Sequence, residues 1–250
     1  MKIDHPHIQH FPGLKALWKE AFEDDDAFID RFFQVAFDPQ RCLCLQDGDE
    51  IPAAAYWFDV EFSGKKAAYV YAVATNLAHR GQGLCRRLME AIHNHLAALG
   101  YAGVMLVPGN DGLREMYGKM GYADFGGMEE FAILAGDTPV SVTQITQEEY
   151  AQLRRQYLPE GGVVQEQENL RFLRQFYRFY KGEDCLFAAA STGLELFASE
   201  LLGNRAAAPG ILAAMAVPSG VFRVPGRDAY AMYHSLDGGE APSYFAFAFD

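Results

Sequence analysis

Arg80-Gly81-Gln82-Gly83-Leu84-Cys85 is the segment of this sequence best equipped for chemistry, and the chemistry is anion binding. The first turn of a helix leaves about four backbone N–H groups without partners and carries roughly half a positive charge, so an oligophosphate docks there when no side chain blocks it. Gly81 and Gly83 remove those side chains, while Arg80, Arg86 and Arg87 place cations close by. The competing reading is a tight strand-to-helix connection in which the glycines serve conformation alone.

A second set of candidates follows. The apolar run VMLVP leads through Asn110 into a stretch that carries Leu113, Met116, Tyr117 and Met120 at helical spacing. Asn110, within PGNDG, reads by itself as a turn former. A tyrosine in such a stripe is ordinarily a core residue. With a pKa near 10, its phenol is also a proton donor at neutral pH.

VATNLAHRGQGLCRRLM strongly resembles the coenzyme A loop of the GNAT acyltransferase superfamily: Arg or Gln, two residues, Gly, one residue, then Gly or Ala. The match falls on Arg80, Gly83 and Cys85, with Cys85 standing where a smaller residue is usual. LVPGNDGLREMYGKMGY resembles the family's second signature, and the whole is most similar to bacterial, Eis-like two-part members.

The resemblance implies an N-acyltransferase that moves an acetyl group from acetyl-CoA to a primary amine by direct attack. Arg80, Gly81, Gln82, Gly83, Leu84 and Cys85 would surround the pyrophosphate. The main chain of Val73, Ala74 and Thr75 would pair with the pantetheine arm as though it were a strand, and an amide there would polarise the thioester carbonyl. Asn110 would contact the cofactor or fix its loop, and Tyr117 would protonate the departing thiolate.

The base is less determined. Ala67 stands where some relatives carry Glu, which leaves Asp59, Glu61, Glu129, Glu130 or a water chain, and water is the expectation. In Eis-like relatives the C-terminus reaches the first domain's site, making the Asp250 carboxylate a candidate base or amine anchor. Two other classes remain open. One is a non-catalytic acyl-CoA sensor or partner module; the other is a protein that kept the fold for a lipid or another acidic ligand.

These residues need elements to hold them. YVYAVAT before the glycine turn alternates as a strand, and Leu84, Leu88, Ile92, Leu96 and Leu99 after it recur as one helical face. Upstream, Phe11 to Phe22 reads as a helix with Leu14, Leu17, Trp18 and Phe22 inward. Asp24 to Asp26 cap a second helix striped by Phe28, Ile29, Phe32, Phe33 and Phe37, a better reading of the acidic triplet than a metal site. RCLCLQ, IPAAAYWFDVEF and AAYVYAVAT form three antiparallel strands.

The expected fold class is mixed α/β: a GNAT fold with a mostly antiparallel sheet flanked by helices in 1–136, then a smaller GNAT-like domain in 137–250. The second part runs two helices (TQEEYAQLRRQYL and ENLRFLRQFYRFYK), strands, the APGILAAM helix and more strands, which reads as a degenerate copy. LLGNRAAAPGILAAM lacks the Gly-x-Gly spacing, so no coenzyme A is expected there. Glu200 is a strand carboxylate facing a cleft on this reading, and FAFAFD is a half-buried terminal strand. The basic face of RFLRQFYRFYK suggests an anionic partner, against a solvated surface offset by Glu166 and Glu168.

Composition sets limits. A hydrophobic content of 50% with 14% aromatics suffices for buried cores in a chain of 250 residues. The net charge of −12 argues against nucleic acid and suits a small-molecule or peptide amine. No apolar run approaches the roughly 20 residues of a membrane span, and MKIDHPHIQH lacks the apolar core of a signal peptide, so a cytoplasmic protein is expected. The four cysteines show no Cys-x-x-Cys pair, and His5, His7 and His10 read as a ragged terminus before a metal cluster, so no metal is expected. Exposed aromatics in the second half suit a homodimer contact.

Overall fold

Trp18 is the packing centre of the amino-terminal half. Its ring centroid lies 4.6 Å from that of Phe32, 5.3 Å from Tyr56 and 5.6 Å from Tyr71. Its indole N–H, costly to bury unpaired, donates to Asp24 Oδ2 at 2.8 Å. The computed structural model describes residues 1–48 and 50–249; Asp49 and Asp250 lie outside the described residues. The chain forms two compact units, neither contiguous in sequence: Met1–Val60, Lys65–Tyr122 and Tyr233–Glu240 in the first, Glu61–Gly64, Ala123–Met232 and 241–249 in the second.

The first unit runs β1 (Lys2–Asp4), α1 (Phe11–Phe22), α2 (Asp26–Val35), β2 (Cys42–Asp47), β3 (Glu50–Phe62), β4 (Lys65–Thr75), α3 (Leu84–Ala98), β5 (Gly103–Leu106) and α4 (Asp111–Gly118). Strands β1 to β5 lie side by side in that order. Pairing is antiparallel between β1 and β2 and between β2 and β3, and parallel between β4 and β5. Strand β3 is buried on both faces: Tyr56 and Phe58 meet Phe32 of α2, while Trp57 meets His95 of α3. Two layers of helices therefore cover the sheet. Asp25 caps α2, accepting from the Phe28 N–H at 2.7 Å, as the acidic triplet suggests. Tyr233 packs so closely on Gly103 that a Cβ there would meet its hydroxyl oxygen at 2.1 Å.

The second unit contains β6 (Ala123–Leu134), β7 (Thr143–Gln144), α5 (Gln147–Tyr157), α6 (Glu168–Leu173), β8 (Arg178–Lys181), β9 (Cys185–Ser191), β10 (Glu195–Gly203), α7 (Ala208–Ala214), β11 (Ser219–Pro225) and the start of β12 (Asp228–Ser235). Its strand order is β6-β11-β10-β9-β8-β7. From β7 to β11 it repeats the succession of the first unit: a strand, two helices, three antiparallel strands, a helix, and a strand joined in parallel.

Several sequence expectations are corrected. The helix expected over ENLRFLRQFYRFYK stops at Leu173, and Arg178–Lys181 becomes a strand because Phe179, 2% exposed, is buried by pairing opposite Ala188. The terminal segment from Ser243 to Phe249 is largely buried but belongs to no strand. The N-terminus is ordered: β1 pairs with β2, His10 is buried, and His5 Nδ1 lies 2.9 Å from the Cys42 carbonyl. Phe22 and Leu99, expected inside, are exposed, while Met89 is buried in their stead. Among the described residues no group of three His, Cys, Asp or Glu side chains is placed to hold a metal ion, and no helix is long and apolar enough to cross a membrane.

Glu200 faces no cleft. It is fully buried, and Arg154 holds it through Nε at 2.7 Å and Nη2 at 2.9 Å, with the Tyr150 and Tyr244 hydroxyls donating at 3.0 and 3.1 Å. Arg154 Nη1 also donates to the Val163 carbonyl. A buried pair of this kind contributes little net stability, but removing one partner strands the other charge. Glu200→Ala is therefore expected to destabilise the protein by about 3–5 kcal/mol in urea unfolding; a loss under about 1 kcal/mol would show that Arg154 finds water instead.

Candidate functional site

Strand β4 turns left-handed at Ala72, where φ is +49°. Alanine in this region costs roughly 1–2 kcal/mol and persists only where the surroundings enforce it. Ala68 and Tyr69 pair in parallel with Val104 and Met105, but β5 ends at Leu106 while β4 continues to Thr75. The strands thus part around the kink. Val73 and Thr75 are half-buried and Ala74 is buried. Nothing in the sequence marks Ala72 as special, since only a glycine or asparagine would have signalled positive φ.

The glycine turn is braced from several sides. Glu20 of α1 accepts from Asn76 Nδ2 at 2.8 Å and from the Leu77 N–H at 2.6 Å. Asn76 caps the single helical turn Leu77–His79, Arg80 Nε donates to the Thr75 carbonyl at 3.2 Å, and Gln82 Nε2 donates to the Ala78 carbonyl. A cleft of about 470 Å³ opens beside this turn, with Glu20, Pro52, Asn76 and His79 in its wall. Gly81 and Gly83 have φ of +76° and +75°, and a Cβ on either would meet no atom within 4 Å. Backbone conformation, with open space in front, thus dictates glycine at both places.

Gly83 is the N-cap of α3 and supplies no capping side chain. The first helical bond runs from the Arg87 N–H to the Gly83 carbonyl at 3.1 Å, so the amides of Leu84, Cys85 and Arg86 precede the ladder. Arg86 and Arg87 are exposed and form no ion pair among the described residues. Cys85 is half-buried, and burial raises its thiol pKa, opposed by Arg86. The arrangement presents bare amides, a helix dipole and two free guanidiniums in one place, which suits a pyrophosphate.

Tyr117 lies on α4, 5% exposed. Burial, with Cys85 close by, pushes its phenol well above the usual tyrosine range, so it remains protonated at neutral pH. Asn110 caps α4, its Oδ1 accepting from the Leu113 N–H at 2.9 Å. The candidate bases are engaged elsewhere. Asp59 accepts from the Tyr101 hydroxyl at 2.6 Å and pairs with Lys66 at 3.1 Å, Glu129 pairs with Arg205, and Glu130 pairs with Arg223. The Glu61 main chain exchanges hydrogen bonds with Val164. Ala67 is fully buried, and Asp250 lies outside the described residues.

Sequence reasoning missed a cluster at the end of α4. His93 Nε2 lies 2.7 Å from the Tyr122 hydroxyl, and the His234 ring stacks on His93 at 4.2 Å with an interplanar angle of 9°. His234 Nδ1 lies 3.1 Å from the Gly121 carbonyl. The three side chains come from α3, the segment after α4 and the far end of the chain, so no local motif joins them. In the second unit, Arg171, Arg174 and Arg178 border a cleft of about 690 Å³. Glu166 pairs with Arg155, and Glu168 is buried.

The first unit is therefore a mixed α/β one in which two parallel strands part beside a helix that has no capping side chain. Residues 2–124, a little under half of the chain, match the family described as Acetyltransferase (GNAT) domain. No curated protein matches the sequence. Among solved structures, a GCN5-related N-acetyltransferase from Kribbella flavida is similar with a TM-score of 0.72 at 17% identity, over 94% of this chain and 72% of that one. A GCN5-related N-acetyltransferase from Anabaena variabilis gives 0.76 at 12% identity, over 94% and 72%. Eis1 from Mycobacterium abscessus gives 0.70 at 13% identity, over 95% and 74%. At these identities the likeness is one of fold.

The His93 imidazole, desolvated and facing His234, has its pKa lowered from 6.5 to about 4. Between those values the unfolded chain binds the proton more readily than the folded one, so stability rises with pH across that window and the effect is absent at neutral pH. His93→Gln is therefore expected to flatten the fall in melting temperature between about pH 6 and pH 4 relative to the parent. An equally steep fall in both proteins would exclude His93 as a source of acid sensitivity.

Proposed function

We propose that this protein is an N-acetyltransferase that moves an acetyl group from acetyl-CoA to a primary amine by direct attack in a ternary complex. The observation that carries this reading is the uncapped first turn of α3, opening where β4 kinks away from β5. On this reading the amides from Gly81 to Cys85, with Arg86 and Arg87, hold the pyrophosphate. Arg80 and Gln82 act as braces through the Thr75 and Ala78 carbonyls. The edge of β4 at Val73, Ala74 and Thr75 takes the pantetheine arm as an added strand, and an amide there stabilises the oxyanion. Asn110 contributes by capping α4 and so fixing Tyr117.

Amine attack on the thioester gives a tetrahedral intermediate that expels a thiolate, and the Tyr117 hydroxyl supplies its proton. The amine arrives as an ammonium ion and loses its protons to water, since Asp59, Glu129 and Glu130 are bound to cations or hydroxyls. Asp250 is retained as a candidate base or anchor for the ammonium, which deleting it would test. The acceptor class is a small-molecule or peptide amine, for which the charge of −12 is favourable.

The matching strand and helix succession supports reading 137–250 as a degenerate copy of 1–136, without acyl-CoA of its own, as in Eis-like proteins. We place the protein in the cytoplasm, with a homodimer as the assembly to test. A second reading, a non-catalytic acyl-CoA sensor, is favoured by the burial of Tyr117.

Two measurements separate these readings. Calorimetry should show acetyl-CoA binding that Gly83→Asp weakens at least about tenfold, since it adds negative charge and a strained left-handed side chain; no binding by the parent would overturn the site. In thiol-release assays over a panel of amines, Tyr117→Phe should cut turnover about 10²–10⁴-fold with acetyl-CoA affinity within about twofold. Binding without thiol release from any amine would establish the sensor instead.

A further inference from the structure

Tyr117 is held on one side by an arrangement that simple core filling does not require. The Tyr122 ring meets it edge to face, centroids 5.6 Å apart at 63°, and the Tyr122 N–H donates to the Tyr117 carbonyl at 3.2 Å. Tyr122 is itself 4% exposed. A phenylalanine would fill the same volume without a hydroxyl to satisfy, yet here the hydroxyl is present and meets His93 Nε2 at 2.7 Å.

The imidazole is fixed in turn. His234 covers it ring on ring, and the His234 ring is oriented by the Gly121 carbonyl. Gly121 has φ of +87°, and a Cβ there would approach His234 Nδ1 to 3.1 Å and Cε1 to 3.2 Å. One glycine therefore serves both the chain reversal that sets Tyr122 against Tyr117 and the close seat of His234. Every degree of freedom of the Tyr122 side chain is restrained: its ring by Tyr117 and the two imidazoles, its hydroxyl by His93.

We propose that Tyr122, clamped by His93 and His234, is a positioning residue for Tyr117, setting the direction in which the Tyr117 hydroxyl faces the leaving sulfur. This rests on the reading of Tyr117 as the proton donor. Proton transfer depends steeply on donor geometry, whereas thioester binding is made by main-chain groups elsewhere, so the clamp acts on turnover and leaves binding alone. Tyr122 touches no reacting atom in this account, and its effect passes wholly through Tyr117.

A double-mutant cycle on kcat tests it, using the full chain and an amine that gives measurable thiol release. Tyr122→Phe, which keeps the ring and removes the hydroxyl, should lower kcat about tenfold with the KM for acetyl-CoA within about twofold. In a Tyr117→Phe background the same change should cost less than about twofold, because there is no donor left to position. His93→Leu should match Tyr122→Phe, and His93→Gln, which offers the hydroxyl a new partner, should restore part of the rate. This conservative pair keeps the test decisive should Tyr122→Phe melt early.

If Tyr122→Phe costs as much in the Tyr117→Phe background as in the parent, or leaves kcat unchanged, the clamp is structural packing and the proposal fails while Tyr117 keeps its role. If Tyr117→Phe alone turns over normally, the donor assignment fails and takes the proposal with it.

Discussion

The separation of β4 from β5 is the constraint on which the site depends. A parallel pair that continued in register would consume the main-chain groups of Val73 to Thr75 and close the space beside the first turn of α3. The left-handed backbone at Ala72 opposes that pairing, and the short β5, ending at Leu106, leaves it no partner to resume with. An extended ligand arm can complete such an edge because backbone amides and carbonyls are indifferent to whether their partner is protein. Strain of about 1–2 kcal/mol in one alanine is small beside the many main-chain bonds it leaves available.

The two units solve the burial of polar groups in opposite ways. In the second, Arg154 and Glu200 are sealed together with two tyrosine hydroxyls and a carbonyl, and the arrangement is inert because every lone pair is engaged. In the first, His93 and Tyr122 meet as neutral groups at 2.7 Å, and the Tyr122 ring packs on Tyr117. Buried charge that is fully matched specifies a structure.

Much of the first unit was legible because its signals are local. The bounds of α1, the Asp25 cap and the three-strand meander follow from apolar period, capping chemistry and turn residues within a few positions of one another. The glycine turn was legible for the same reason. What escaped was non-local or unmarked. RFLRQFYRFYK fits both a helical and an alternating period, and only the pairing of Phe179 opposite Ala188 decides for a strand. Glu200 looked like a cleft carboxylate because Arg154 and Tyr244, which bury it, lie 46 and 44 residues away. His234 bonds across 113 residues to a glycine whose role a sequence pattern assigns to turning alone. Alanine at position 72 carries no warning of its φ.

Tyr233–Glu240 belongs with the first unit, and Tyr233 fills the space that Gly103 leaves. A ribosome making this protein therefore emits a further 130 residues after Gly103 before the amino-terminal half can seal its own interior, and a nascent chain waits with Gly103 uncovered. The same dependence ties inheritance to folding: a stop codon anywhere before Tyr233 would injure the half encoded first, so that half is not free to be inherited alone.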